Sequence, residues 1–92
     1  MKRYFIIYEG TVQGVGFRWR LMQIARKNGL SGHVRNCENG KVECEVQGEN
    51  VDIFLRESLL PDRFVKVRDH FVKQIPIKEK EKGFTVRFGN DT

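Results

Sequence analysis

Three glycines fall within the seven residues Gly10-Thr11-Val12-Gln13-Gly14-Val15-Gly16, and no other feature constrains the fold of this chain as strongly. Neither a strand nor a helix is comfortable with so many residues lacking a Cβ, so the chain has to turn there. Before the glycines, Tyr4-Phe5-Ile6-Ile7-Tyr8 is aromatic and β-branched and reads as a strand buried on both faces. After them a helix is expected from about Arg18, with Leu21, Ile24, Ala25 and Asn28 on one face and Arg20, Gln23 and Lys27 outside. Gly29 ends that helix as a C-terminal cap, and Leu30 supplies the apolar contact beyond it. The glycine segment is therefore a strand-to-helix connection.

The rest of the chain reads as a hairpin, a helix and two strands. Strands are expected at about Gly32 to Cys37 and Lys41 to Gln47, and parity sets their register. Val42, Cys44 and Val46 form the apolar face of the second, while Glu43, Glu45 and Gln47 face out. For Val34 to share the apolar face, Asn36 must pair with Val42, which leaves Glu38-Asn39-Gly40 as the loop and Gly40 at its left-handed position. A second helix starts with Asn50 as N-cap, runs through Val51, Phe54, Leu55, Ser58 and Leu59, and stops at Pro61. Final strands are expected at about Phe64 to Lys73 and Phe84 to Phe88, with Lys78-Glu79-Lys80-Glu81-Lys82 as a solvated turn between them. The order is β-α-β-β-α-β plus one strand. This is an α+β, ferredoxin-like sandwich with two helices on one face of an antiparallel sheet, and 1–92 is read as a single domain.

Topology then brings distant residues together. The first helix carries the chain back, so the first and second strands are parallel and Asn36 lies at the same end as the glycine loop. Asn36 shares the parity of Val34, which points it to the helix-covered face, near where Arg18 emerges. Glycines let successive N–H groups turn inward, and the helix N-terminus adds a partial positive charge, so the loop suits an oxyanion. The Arg18 guanidinium supplies a fork that grips two phosphate oxygens. A tight connection with an exposed arginine is the plainer reading of the same spacing. The loop has no G-x-x-x-x-G-K-[ST] sequence, so it is not a nucleotide-binding P-loop. A Cys-x5-Arg phosphatase would need cysteine where Val12 stands, and no Cys, His or Asp in the loop can form a phosphoenzyme. Hydrolysis here must use water directly, on a substrate with a good leaving group.

Gly10-Thr11-Val12-Gln13-Gly14-Val15-Gly16-Phe17-Arg18 resembles the acylphosphatase G-x-V-Q-G-V-x-F-R signature at every fixed position. Gly32-His33-Val34-Arg35-Asn36-Cys37-Glu38-Asn39-Gly40-Lys41-Val42, continuing to Gly48, resembles the second motif of that family, and the length and element order match a stand-alone member. The resemblance implies that backbone amides of Gly14, Val15, Gly16, Phe17 and Arg18 cradle a phosphate, that the Arg18 guanidinium binds and polarises it, and that Asn36 positions the attacking water. It implies hydrolysis of acyl phosphates such as acetyl phosphate, 1,3-bisphosphoglycerate and carbamoyl phosphate, without a metal or other cofactor. Inorganic phosphate is expected as product and competitive ligand. His33, where the family has an aromatic residue, is read as a surface substitution. Tyr8 replaces an aliphatic residue and Asn39 an aspartate.

A charge of +5 suits an anionic ligand, a solubilising surface, or RNA binding on this fold. The outward row Glu43, Glu45 and Gln47 is acidic and non-aromatic, which argues against RNA. A catalytically dead binding domain is disfavoured by the presence of both Arg18 and Asn36. Cys37 and Cys44 have opposite parity, so no disulfide is expected; Cys44 is read as core and Cys37 as an incidental thiol. His33 and His70 lack ligand spacing for a metal and are read as solvated. Trp19 either lines the substrate mouth or packs on the loop. No apolar run has membrane-spanning length and no signal peptide is seen, so a cytoplasmic monomer without nucleic-acid or membrane partners is expected.

Overall fold

The computed structural model describes residues 1–88, so residues 89–92 of the expected domain lie outside the described residues. Along the chain come β1 (Lys2–Thr11), α1 (Phe17–Lys27), β2 (Ser31–Asn36), β3 (Val42–Gly48), α2 (Val51–Ser58), β4 (Lys66–Ile75) and β5 (Phe84–Arg87). The strands form one sheet in the order β4-β1-β3-β2-β5. The neighbouring pairs β4–β1, β1–β3 and β3–β2 are antiparallel, while β5 runs parallel to β2, so the sheet is mixed. No helix among the described residues is long and apolar enough to cross a membrane.

Parity did set the hairpin register. Asn36 pairs with Val42 and Val34 with Cys44, and Gly40 sits at φ 86° in the loop between them. Asn39 Oδ1 accepts from the Lys41 N–H at 3.0 Å, a turn contact that an aspartate would make equally well. The even-numbered residues Ile6, Tyr8, Val34, Val42, Cys44 and Val46 face the helices and are fully buried. From α1, Phe17, Leu21, Met22 and Ala25 close over them. The helix ends as its residues direct: Leu30 N–H reaches Ala25 O at 2.9 Å around Gly29, and the buried Leu30 side chain joins the core. At α2, Asn50 stands at the N-cap position but its side chain caps nothing; instead its carbonyl accepts from Ile53 and Phe54.

The odd-numbered face is different from the one expected. In β1 Ile6 and Tyr8 on the helix side are fully buried, whereas Phe5 and Ile7 on the other side remain half-exposed. Arg3, on that same open side, is 0% exposed. Its cover comes from the segment expected to be a solvated turn. Since β4 and β5 lie at opposite edges of the sheet, residues 76–83 have to cross four strand spacings of about 4.8 Å each. They do so as a strap over the open face. The carboxylate of Glu81 accepts from Arg3 Nη1 at 2.7 Å and from Ser31 Oγ at 2.9 Å, and Gln47 bonds both the N–H and the carbonyl of Lys78. His33 does face away from the helices, but it is not a surface residue. It is only 7% exposed beside Glu45, and burial, reinforced by Arg87, lowers its pKa. His70 is exposed. Cys37 and Cys44 are both free, with Cys44 buried in the core.

Candidate active site

A register shift between Glu9 and Gly10 in the β1–β4 ladder leads the chain out of the sheet and into the glycine loop. Gly14 and Gly16 hold φ 73° and 78°, left-handed values that a side chain would oppose at both positions. Gly16 is the N-cap of α1. No side chain caps this end of the helix, and no acidic residue occupies its first turn. The first N–H groups of a helix have no partner within it, so they are left pointing out of the loop with the positive end of the helix dipole behind them. Val15 packs against the core, while Phe17 is buried and meets the Tyr8 ring edge-on at 4.9 Å. The Tyr8 hydroxyl donates to Ser58 Oγ at 2.8 Å, and the ring is thereby accommodated in a position where an aliphatic residue needs no such partner.

Loop and hairpin are locked together. Gln13 Nε2 donates to the carbonyls of Cys37 and Lys41, at 2.8 and 2.9 Å, directly beyond Asn36. The sequence reading passed over Gln13, because nothing local shows that its amide spans to a different element. Arg18 and Asn36 border one cleft of about 500 Å³, together with Gly14 and Gly16. The two distant polar residues are therefore brought to the same place, as the topology requires. Asn36 Oδ1 is buried there and accepts no hydrogen bond within the described structure. A buried amide oxygen without a donor is costly unless something else supplies one.

Arg18 is held by the last strand. Its Nη1 donates to Arg87 O at 2.8 Å, and its guanidinium lies 4.8 Å from the centre of the Phe88 ring. That contact exists because β5 is parallel to β2: both strands end at the loop, which delivers the Arg87 carbonyl and Phe88 to the cleft. Sequence reasoning missed both, since the pairing of a short edge strand leaves no periodic signal. The remaining guanidinium N–H groups of Arg18 have no carboxylate partner among the described residues. Trp19 is 62% exposed and borders the cleft. Among the described residues no cluster of three His, Cys, Asp or Glu side chains could hold a metal ion. The Cys37 thiol has its pKa raised by burial, which keeps it out of the reactive thiolate form.

The arrangement is an uncapped helix N-terminus, one fixed arginine and one unpartnered amide around a small cleft. Known proteins are closely similar to this chain. The acylphosphatase family profile matches residues 4–86. An acylphosphatase of Clostridium acetobutylicum is 44% identical over 88 residues, covering 94% of this chain and 97% of that protein. One from Geobacillus thermodenitrificans is 40% identical over 91 residues, 97% of each chain. The crystal structure of acylphosphatase from Bacillus subtilis superposes with a TM-score of 0.88 at 34% identity, covering 95% of this chain and 99% of that one. The family profile, the relatives and the fold agree, and the chain belongs to the acylphosphatase family.

Proposed function

We propose that the backbone N–H groups of Gly14 to Arg18 and the Arg18 guanidinium hold the phosphoryl group of an acyl phosphate, and that Asn36 positions the attacking water. Acyl phosphate hydrolysis is the activity that goes with the family. The observation that carries the assignment of roles is the buried, unpartnered Asn36 Oδ1 bordering the same cleft as Arg18. As an acceptor it takes one O–H of the water and leaves a lone pair free for phosphorus. A P–O bond forms to the water and the P–O bond to the acyl oxygen breaks, its electron pair leaving with the carboxylate. One water proton stays on the new P–O group and the other passes to a phosphoryl oxygen, giving carboxylate and inorganic phosphate. No protein base is required, because a carboxylate is a good leaving group. Rate then comes from positioning and from stabilising charge on the equatorial oxygens. The reaction is read as metal-independent on the same ground.

The test is Asn36→Ala. Turnover of benzoyl phosphate should fall on the order of 10²-fold, while inorganic phosphate, which needs only the loop and Arg18, binds as in the parent. A folded Asn36→Ala that lost phosphate affinity as Arg18→Ala does would refute the water-positioning role. A chelator should leave the parent rate unchanged, and an alkyl phosphate should turn over far more slowly than an acyl phosphate because the cleft offers no acid to an alkoxide.

A further inference from the structure

The cleft continues beyond its phosphate end. Arg18, Met22 and Arg26 follow one another at four-residue steps on α1, so they form a single stripe, and all three border the cavity. From the first arginine to the second the helix rises about 12 Å. The wall between them is apolar: Met22 is buried in α1, and Val86 of β5 lies across from it. Arg26 is exposed and donates from Nη2 to Phe84 O at 3.2 Å. It stands where this cavity meets a neighbouring hollow beside Gly29 and Gly83. The acyl group of acetyl phosphate is far too short to reach it.

We propose that Arg26 is a specificity residue, selecting acyl phosphates whose acyl group carries a second anion, a carboxylate or a phosphate, at its far end. The inference rests on the reading that the reacting phosphate sits at Arg18. The intervening part of the acyl group lies along Met22 and Val86, and the guanidinium fork takes the distal anion. That anion is remote from the reacting bond and is held equally before and during reaction. Arg26 therefore acts on KM and leaves kcat alone. A cation in the last turn also favours the helix dipole, but that role would move stability without distinguishing one substrate from another.

The experiment compares 4-carboxybenzoyl phosphate with benzoyl phosphate, and adipoyl monophosphate with hexanoyl phosphate, in the parent, Arg26→Ala and Arg26→Lys. In the parent the anionic member of at least one pair should have the lower KM. Arg26→Ala should raise that KM roughly three- to fivefold at unchanged kcat, the size expected for one solvent-accessible charge-assisted contact. The uncharged member should be unaffected, and lysine should restore part of the difference. An equal change for both members, or none in either pair, overturns the proposal. Failure of the parent to hydrolyse any of the four would instead overturn the phosphate-site reading, and this inference with it.

Discussion

Arg3 and Arg18 lie on opposite faces of the same sheet, and the fold uses them in opposite ways. Arg3 is 0% exposed and saturated: Glu45 Oε1 takes Nε and Nη2 at 3.0 and 2.9 Å, Gln47 takes Nη1 at 3.2 Å, and Glu81 takes Nη1 and Nη2 at 2.7 and 3.2 Å. Arg18 is half-buried and gives one bond to the Arg87 carbonyl, with the Phe88 ring against its face. A carbonyl and a ring orient a guanidinium without neutralising it, whereas two carboxylates cancel its charge. Arg3 therefore closes a structure and Arg18 remains available to a dianion. The side chain is the same, and the partners decide its use.

Arg18→Ala should give the largest effect, lowering kcat/KM for an acyl phosphate on the order of 10³-fold by removing the proposed transition-state charge partner. Phosphate affinity should fall with it. Lysine should rescue little, since an ammonium lacks the planar fork. Denaturant unfolding should shift by less than about 1 kcal/mol, as expected for a side chain that closes no network. An Arg18→Ala protein that unfolded much more easily would break the comparison.

Arg3→Ala should do the reverse. Its loss leaves Glu81 and Glu45 facing each other across the strap, and breaking a buried pair from one side costs about 3–5 kcal/mol. Both carboxylates keep 21% exposure, so the lower end of that range is expected. Activity per folded molecule, measured well below the unfolding midpoint in denaturant, should be unchanged. A loss of kcat in the folded protein would show that the two faces are coupled.

The smallest effect sharpens the Arg3 side alone. At Glu81 burial by itself would raise the pKa, but hydrogen bonds from Arg3 and Ser31 outweigh it, and the pKa lies below its ordinary value of 4.5. A depressed folded value means that the stabilisation is complete above the unfolded pKa and is lost as pH falls through the folded one. Glu81→Gln should therefore be less stable than the parent at pH 7 by about 1.5 kcal/mol, the low end for a hydrogen bond to a charged group. That gap should close below pH 4.5 when the urea midpoints of the two proteins are followed downward. A gap independent of pH would mean that the Glu81 charge does not hold the strap.

What the sequence determined was local or followed from parity. A residue's place along a strand settles its face, so the Asn36–Val42 register and the burial of Cys44 were legible. Turn chemistry placed the glycine loop and the end of α1, and topology brought Asn36 to Arg18. The open face was beyond such reasoning. An alternating charge run such as residues 78–82 has the composition of a solvated turn, and only the edge positions of β4 and β5 force it across the sheet, where Glu81 meets Arg3 and His33 becomes buried. The Gln13 clamp, the Arg87 carbonyl on Arg18 and the placing of Arg26 on the same cleft were likewise decided in three dimensions. Each joins elements far apart in the chain, and the free energy of such a contact depends on what is packed opposite, which no local spacing records.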